Sequence, residues 1–171
     1  KYTLTTLSRL DDQKNVELLI KSVIFLNKNN KKTISLQILG DGELEKKFKY
    51  QYKNNKFITL IGWKKNPFPY LLNTKIYLLI SKYEGFGYSI IEAMALGKPV
   101  IASDVDYGPW EIIRKNKFGL LTDNTIENIS ETISTMLIKK NFYKYKRQSI
   151  IRSIDFDQTK LKNQYLSLFK N

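Results

Sequence analysis

The sequence contains no cysteine and no histidine. The first absence excludes disulfides, thiolate metal sites and a thiol nucleophile. The second removes the commonest general base and metal ligand of enzymes that work near neutral pH. Acids are scarce: 16 Asp and Glu stand against 29 Lys and Arg, a formal charge of +13. No apolar run approaches the roughly 20 residues a membrane-spanning helix requires, and no secretory signal, repeat or low-complexity linker is visible. What is present is ordinary for a folded domain. With 171 residues, 42% hydrophobic and 26% charged, the chain suits one globular domain with its own core. It opens directly into a strand-like run, as expected of a piece of a longer protein whose start lies elsewhere.

A charge of this size is the footprint of a nucleic-acid or anionic-membrane binder in some domains. Here the lysines are scattered along the whole chain among Asn, Ile and Tyr. Most therefore read as solvated surface lysines. A peripheral contact with an anionic membrane is the second reading, and no nucleic acid is expected, because no recognisable binding motif accompanies the charge.

Residues 2–7 read as a strand, followed by a polar loop with Arg9 and Lys14, then a helix over about 15–27 with an apolar stripe at Leu18, Leu19, Val23 and Leu26. Residues 33–39 form the next strand, closed by Gly40-Asp41-Gly42, and a polar amphipathic helix spans 43–54. A third strand, 57–61, ends at Gly62-Trp63. A short helical turn at Asn66-Pro67-Phe68-Pro69-Tyr70 leads to a buried strand, 76–80. Strands at 100–102 and 118–121 and helices over 124–139, 142–154 and 157–169 complete the pattern. Alternation of this kind predicts an α/β, Rossmann-like parallel sheet of about six strands with helices on both faces.

The stretch from 76 to 103 organises the rest. A buried strand runs into Gly85-Phe86-Gly87, then a helix that ends at Gly97 and Pro99, then another buried strand. Glycines at the carboxyl end of a parallel strand mark the ligand edge of such sheets, and free N–H groups at the start of the helix suit an anion. Glu84 and Glu92 bracket that anion position. A ligand with hydroxyls at both ends and phosphates between them, a nucleotide sugar, fits two carboxylates so placed. An Arg fork at 9 and a Lys point charge at 14, at the same mouth, suit a diphosphate. Other readings stand beside this one. Ser89-x-x-Glu92 fits a capping box that would make Glu92 structural. Glu84 reads equally as an ordinary loop acid, and the two acids as the pair of a glycoside hydrolase, although nothing in the sequence builds a water-filled cleft between them. By itself Trp63 reads as a partly buried packing residue.

The string Glu-Gly-Phe-Gly-x-x-x-x-Glu-Ala-Met-Ala-x-Gly-Lys-Pro-Val-Ile-Ala-Ser over 84–103 resembles the group-one (family four) retaining glycosyltransferases of GT-B fold, in their carboxyl-terminal, donor-binding half. Arg9-Leu-x-x-x-Lys14, Gly40-Asp41-Gly42, Gly62 and Gly108-Pro109-x-Glu111 match the same family. The resemblance implies that Arg9 and Lys14 hold the donor diphosphate and neutralise the leaving group, and that Glu84 holds the transferred sugar. It implies also that Glu92 holds the ribose, that the backbone of Gly85, Phe86, Gly87, Tyr88 and Ser89 faces sugar and phosphates, and that Gly62 and Trp63 border the base. Gly108 is expected to let a second helix terminus approach the phosphate. Many relatives have two adjacent glycines there, and Gly108-Pro109 fits a narrower subgroup. Asp104-x-Asp106 reads as a pair of loop acids, since the resemblance implies a metal-independent reaction without a cofactor.

The resemblance thus implies a donor-binding domain over 1–171 whose partner, an amino-terminal acceptor domain, is not in this chain. The expected setting is cytoplasmic, at the inner face of a membrane, with a UDP-sugar donor and a surface-glycan acceptor. The competing classes are a non-catalytic nucleotide-sugar sensor, a basic membrane or nucleic-acid module, and a sugar epimerase on the same fold.

Overall fold

A computed structural model describes residues 2–29, 33–157 and 159. Six strands alternate with helices: β1 (Tyr2–Leu7), α1 (Val16–Asn29), β2 (Leu36–Leu39), α2 (Glu45–Tyr52), β3 (Ile58–Gly62), α3 (Phe68–Leu72), β4 (Thr74–Leu79), α4 (Tyr88–Ala95), β5 (Val100–Ser103), α5 (Gly108–Ile113), β6 (Leu120–Thr122), α6 (Ile126–Leu137) and α7 (Lys139–Ser153). The expected helix over 157–169 lies outside the described residues.

All pairings are parallel, in the order β3-β2-β1-β4-β5-β6. Strand order reverses between β1 and β4, so the loops after these two strands diverge and leave a crevice at their carboxyl ends. Side-chain alternation along a strand explains the two-sided core. In β4, Ile76 and Leu78 join the cluster beneath α1, α2 and α6, whereas Tyr77 and Leu79 join the cluster beneath α3, α4 and α5. Both clusters are buried, which requires helices on both faces of the sheet.

Helix ends follow local chemistry. The Thr125 side chain caps α6 by accepting from the Asn128 amide at 3.1 Å. A single extended residue, Ile138, separates α6 from α7, so α7 begins three residues before its expected start. The small residues Ala93, Ala95 and Gly97 read in the sequence as a surface for close packing of α4 on the sheet, and the structure corrects this. Ala93 is buried, but Ala95 is exposed, and Gly97 packs against Ile150 of α7 rather than the sheet.

Candidate functional site

The crevice at the strand reversal is a cleft of about 430 Å³. Its walls come from the residues after β1 (Ser8, Arg9, Lys14), β2 (Gly40, Asp41), β3 (Trp63, Lys64) and β4 (Glu84, Phe86), with Gly87, Tyr88, Ser89 and Glu92 from the start of α4. Three bases (Arg9, Lys14, Lys64) and three acids (Asp41, Glu84, Glu92) line it. Such a site can receive an anion and a polyol together.

Two loops far apart in sequence are stitched together at its edge. The Lys82 amide donates to the carbonyl of Gln13 at 2.8 Å, and the Gln13 side-chain amide donates to the carbonyl of Tyr83 at 3.0 Å. Lys82 pairs with Asp12 at 2.6 Å. Deeper in, Lys14 Nζ pairs with Glu84 Oε2 at 2.5 Å, with side-chain exposures of only 14% and 10%. Low exposure and charge assistance make this contact a strong one. Arg9 differs: it is 67% exposed and held loosely at the rim by Asp11 (3.3 Å) and the Gln13 amide oxygen (3.0 Å).

At the start of α4 the preceding residue is Gly87, in the left-handed region, and no side chain caps the helix. The Ser89–Glu92 capping box therefore does not form. Ser89 is engaged from below, where the buried Tyr77 hydroxyl hydrogen-bonds Ser89 Oγ at 2.7 Å and the carbonyl oxygen of Leu7 at 3.3 Å. One phenol thus ties the end of β1 to the first turn of α4. The Glu92 carboxylate lines the cleft with no hydrogen bond or ion pair among the described residues.

Burial pushes the Tyr77 phenol well above its ordinary value of 10.0, against the opposing effect of its two hydrogen bonds, with Glu92 and Glu84 adding to the rise. The unfolded chain then ionises first as pH rises. Stability contributed by the neutral phenol is complete below pH 10 and is lost above it, by about 1.4 kcal/mol per pH unit. Chemical denaturation between pH 9 and 11 is expected to show this slope relative to Tyr77→Phe; parallel profiles would place Tyr77 in contact with water.

Most nominated residues meet at the cleft: Arg9, Lys14, Gly40, Trp63, Glu84, Phe86, Gly87, Tyr88, Ser89 and Glu92. Trp63 is 63% exposed, so the packing alternative does not hold. Three glycines do not line it. Gly62 accepts from the Gly40 amide at 3.1 Å, and Gly85 stands exposed beside open space. Gly108 corrects an expectation. It is buried with its Cα against the backbone of Phe86, where a Cβ would lie 2.5 Å from the Phe86 carbonyl oxygen. It backs the glycine loop from behind instead of facing a ligand. Asp104 and Asp106 also lie outside the cleft. No motif singles out Ser8, Asp41 or Lys64 as ligand-facing, yet each comes directly after a strand end or one residue beyond it. In a parallel sheet that position is itself the signal.

Sheet order and cleft define a Rossmann-like α/β domain of the kind that forms half of a GT-B glycosyltransferase. Residues 1–152 match the family profile described as glycosyl transferases group 1, and the chain belongs to that family. Among curated relatives it is 28% identical over 174 residues to a poly(ribitol-phosphate) alpha-N-acetylglucosaminyltransferase of Staphylococcus aureus, covering 96% of this chain and 34% of the relative. It is 30% identical over 186 residues to the GtfA subunit of a UDP-N-acetylglucosamine–peptide N-acetylglucosaminyltransferase of Streptococcus agalactiae, covering 96% and 36%. The fold superposes on the crystal structure of the pneumococcal O-GlcNAc transferase GtfA in complex with UDP and GlcNAc, with a TM-score of 0.85, 22% identity, and coverage of 98% and 35%. The chain thus spans about a third of the length of these relatives. Among the described residues, no helix is long and apolar enough to cross a membrane.

Proposed function

We propose that this chain is the donor-binding half of a retaining glycosyltransferase that takes a hexose or N-acetylhexosamine from a UDP-sugar. The observation that carries the reading is the convergence of Arg9, Lys14, Glu84 and Glu92 on one cleft at the strand reversal. Arg9 and Lys14, helped by Lys64, meet the diphosphate. Glu84 orients the sugar hydroxyls, Glu92 accepts from the ribose hydroxyls, and Trp63 borders the base. In transfer, the bond from the anomeric carbon to the phosphate oxygen breaks while a bond to the acceptor oxygen forms on the same face. The acceptor proton passes to a donor phosphate oxygen. Charge gathers on the departing diphosphate, where pre-placed cations act most strongly. The transfer proposed here uses these side chains alone, without a metal or cofactor.

Uridine as the base is supported by the streptococcal relative, whose name specifies a UDP donor. The names of the two curated relatives specify different acceptors, a poly(ribitol-phosphate) and a peptide. We assign acceptor choice to an amino-terminal domain facing the cleft, and a bacterial surface glycan built on the cytoplasmic side is the acceptor class we favour. Calorimetric titration of the chain with UDP, GDP and UDP-sugars tests the donor reading. We expect saturable UDP binding that weakens about tenfold or more in Glu92→Ala, which removes charge-assisted hydrogen bonds, and by less in the exposed Arg9→Ala. Binding that neither substitution alters would move the donor site elsewhere. Without an acceptor domain the chain is expected to bind donor weakly and to transfer essentially no sugar. Full turnover by the chain alone would overturn that division of labour.

A further inference from the structure

The sheet has a second hollow at its other edge. Thr74 and Lys75 open β4, whereas Leu79 closes it at the donor cleft, five residues or about 17 Å away. Beside Thr74 and Lys75, a groove of about 480 Å³ is completed by Gly97, Lys98, Leu137 and the first turns of α7. Four lysines line it (Lys75, Lys98, Lys139, Lys146) and no acid does. Lys98 is anchored there by donating to the carbonyls of Leu72 (3.0 Å) and Thr74 (3.1 Å), which fixes its charge at the groove. None of the ion pairs among the described residues uses Lys75, Lys139 or Lys146.

Helix α7 carries six basic residues and no acidic one. Lys139, Tyr143, Lys146 and Ile150 succeed one another by four, three and four positions, so they share one face of the helix. That face is more than basic. Tyr143 is 58% exposed and Ile150 47%, and Ile154, one turn on, is 59% exposed. A soluble phosphate or a nucleic-acid backbone gives exposed isoleucines nothing to pack on. A bilayer surface accommodates all three kinds of group, with anionic headgroups for the lysines, the interface for tyrosine and the outer acyl region for isoleucine.

We infer that this face, Lys75 and Lys98 with the Lys139–Ile150 side of α7 and Ile154 just beyond it, docks the protein on an anionic lipid surface. Docked this way, the donor cleft opens on the side away from the lipid. The inference does not depend on what fills that cleft. It is tested by sedimenting the chain with phosphatidylcholine vesicles prepared with and without phosphatidylglycerol. Binding is expected only with the anionic lipid. It should weaken about fivefold per lysine removed, hence about a hundredfold for Lys75→Ala/Lys139→Ala/Lys146→Ala. All three side chains are exposed, and unchanged thermal unfolding would confirm that the variant is folded. A charge-matched control, Lys46→Ala/Lys53→Ala/Lys56→Ala, removes exposed lysines of α2 and the loop after it and should bind like the parent. Equal loss in both variants would reduce the effect to net charge and overturn the inference, as would absence of vesicle binding. Tight binding of soluble polyphosphate or single-stranded RNA through the same three lysines, with vesicles ignored, would hand the face to a soluble polyanion instead.

Discussion

Replacing Lys14 with alanine is expected to lower the proposed sugar transfer, measured with an acceptor domain joined to this chain, about a hundred- to a thousandfold, the usual cost of removing one pre-placed charge from a developing oxyanion. The same change should destabilise the chain by about 2 kcal/mol, because Glu84 is left with a nearly buried carboxylate and no cation. Fully buried pairs cost more when broken, but here 10–14% of each side chain still meets water and Ser81 Oγ remains 3.4 Å from Glu84. The two consequences separate in a second variant. Lys14→Ala/Glu84→Gln removes the orphan charge, so urea denaturation should find most of the lost stability restored, while UDP affinity stays at least about tenfold reduced. Recovery of both together would mean that Lys14 serves only to neutralise Glu84, and the assignment of a diphosphate role would fall. Because Lys14 is already paired with Glu84, donor binding as we propose it would have to share or exchange that contact. In the proposed site, a diphosphate arriving at Lys14 would therefore also change the partner of Glu84, the carboxylate to which we assign the sugar.

Gly40→Ala is expected to cost on the order of 4 kcal/mol, enough to unfold a marginal domain. Gly40 has φ near 134°, a conformation L side chains rarely adopt, and a Cβ there would stand 1.9 Å from the carbonyl oxygen of Ser8. Neither side can retreat. The Ser8 amide is held by the Leu39 carbonyl at 2.9 Å and the Gly40 amide by the Gly62 carbonyl at 3.1 Å, so the contact lies between three strand ends locked in register. The close approach of β1 and β2 also sets where Ser8 and Arg9 enter the cleft. Any surviving Gly40→Ala protein should therefore bind UDP poorly. Gly85→Ala is the matched control: its Cβ would enter open space and its φ is not left-handed, so chemical denaturation should find it within about 0.5 kcal/mol of the parent. Equal costs for the two substitutions would refute the steric account.

The elements are legible in the sequence because strands and helices in this chain carry different periods, and because glycines and prolines stand at their ends. Their boundaries shift by one to three residues where a tertiary contact decides the matter. The strand expected from residue 33 pairs only from Leu36, in register with Leu4. Gly108 and Ser89 depart from their motifs in the same direction. The motifs make one ligand-facing and the other a cap, but the fold engages both from behind, through the Phe86 backbone and through Tyr77, contacts that span 22 and 12 residues.

The sequence by itself determined the α/β class, the family, and the set of groups available for chemistry, since spacing, turn residues and the absence of histidine and cysteine are local or compositional facts. Only the tertiary structure decided which charges are already spoken for. Lys14 and Glu84 are 70 residues apart and meet because β1 and β4 are neighbours in the sheet. In the same way, lysines that look scattered in the sequence gather on one groove because the start of β4, the turn before β5 and the start of α7 all lie at the same edge. A chain's order fixes what each segment can form, but the burial of two opposed core faces fixes which loops share an edge, and the chemistry of this protein is carried at those edges.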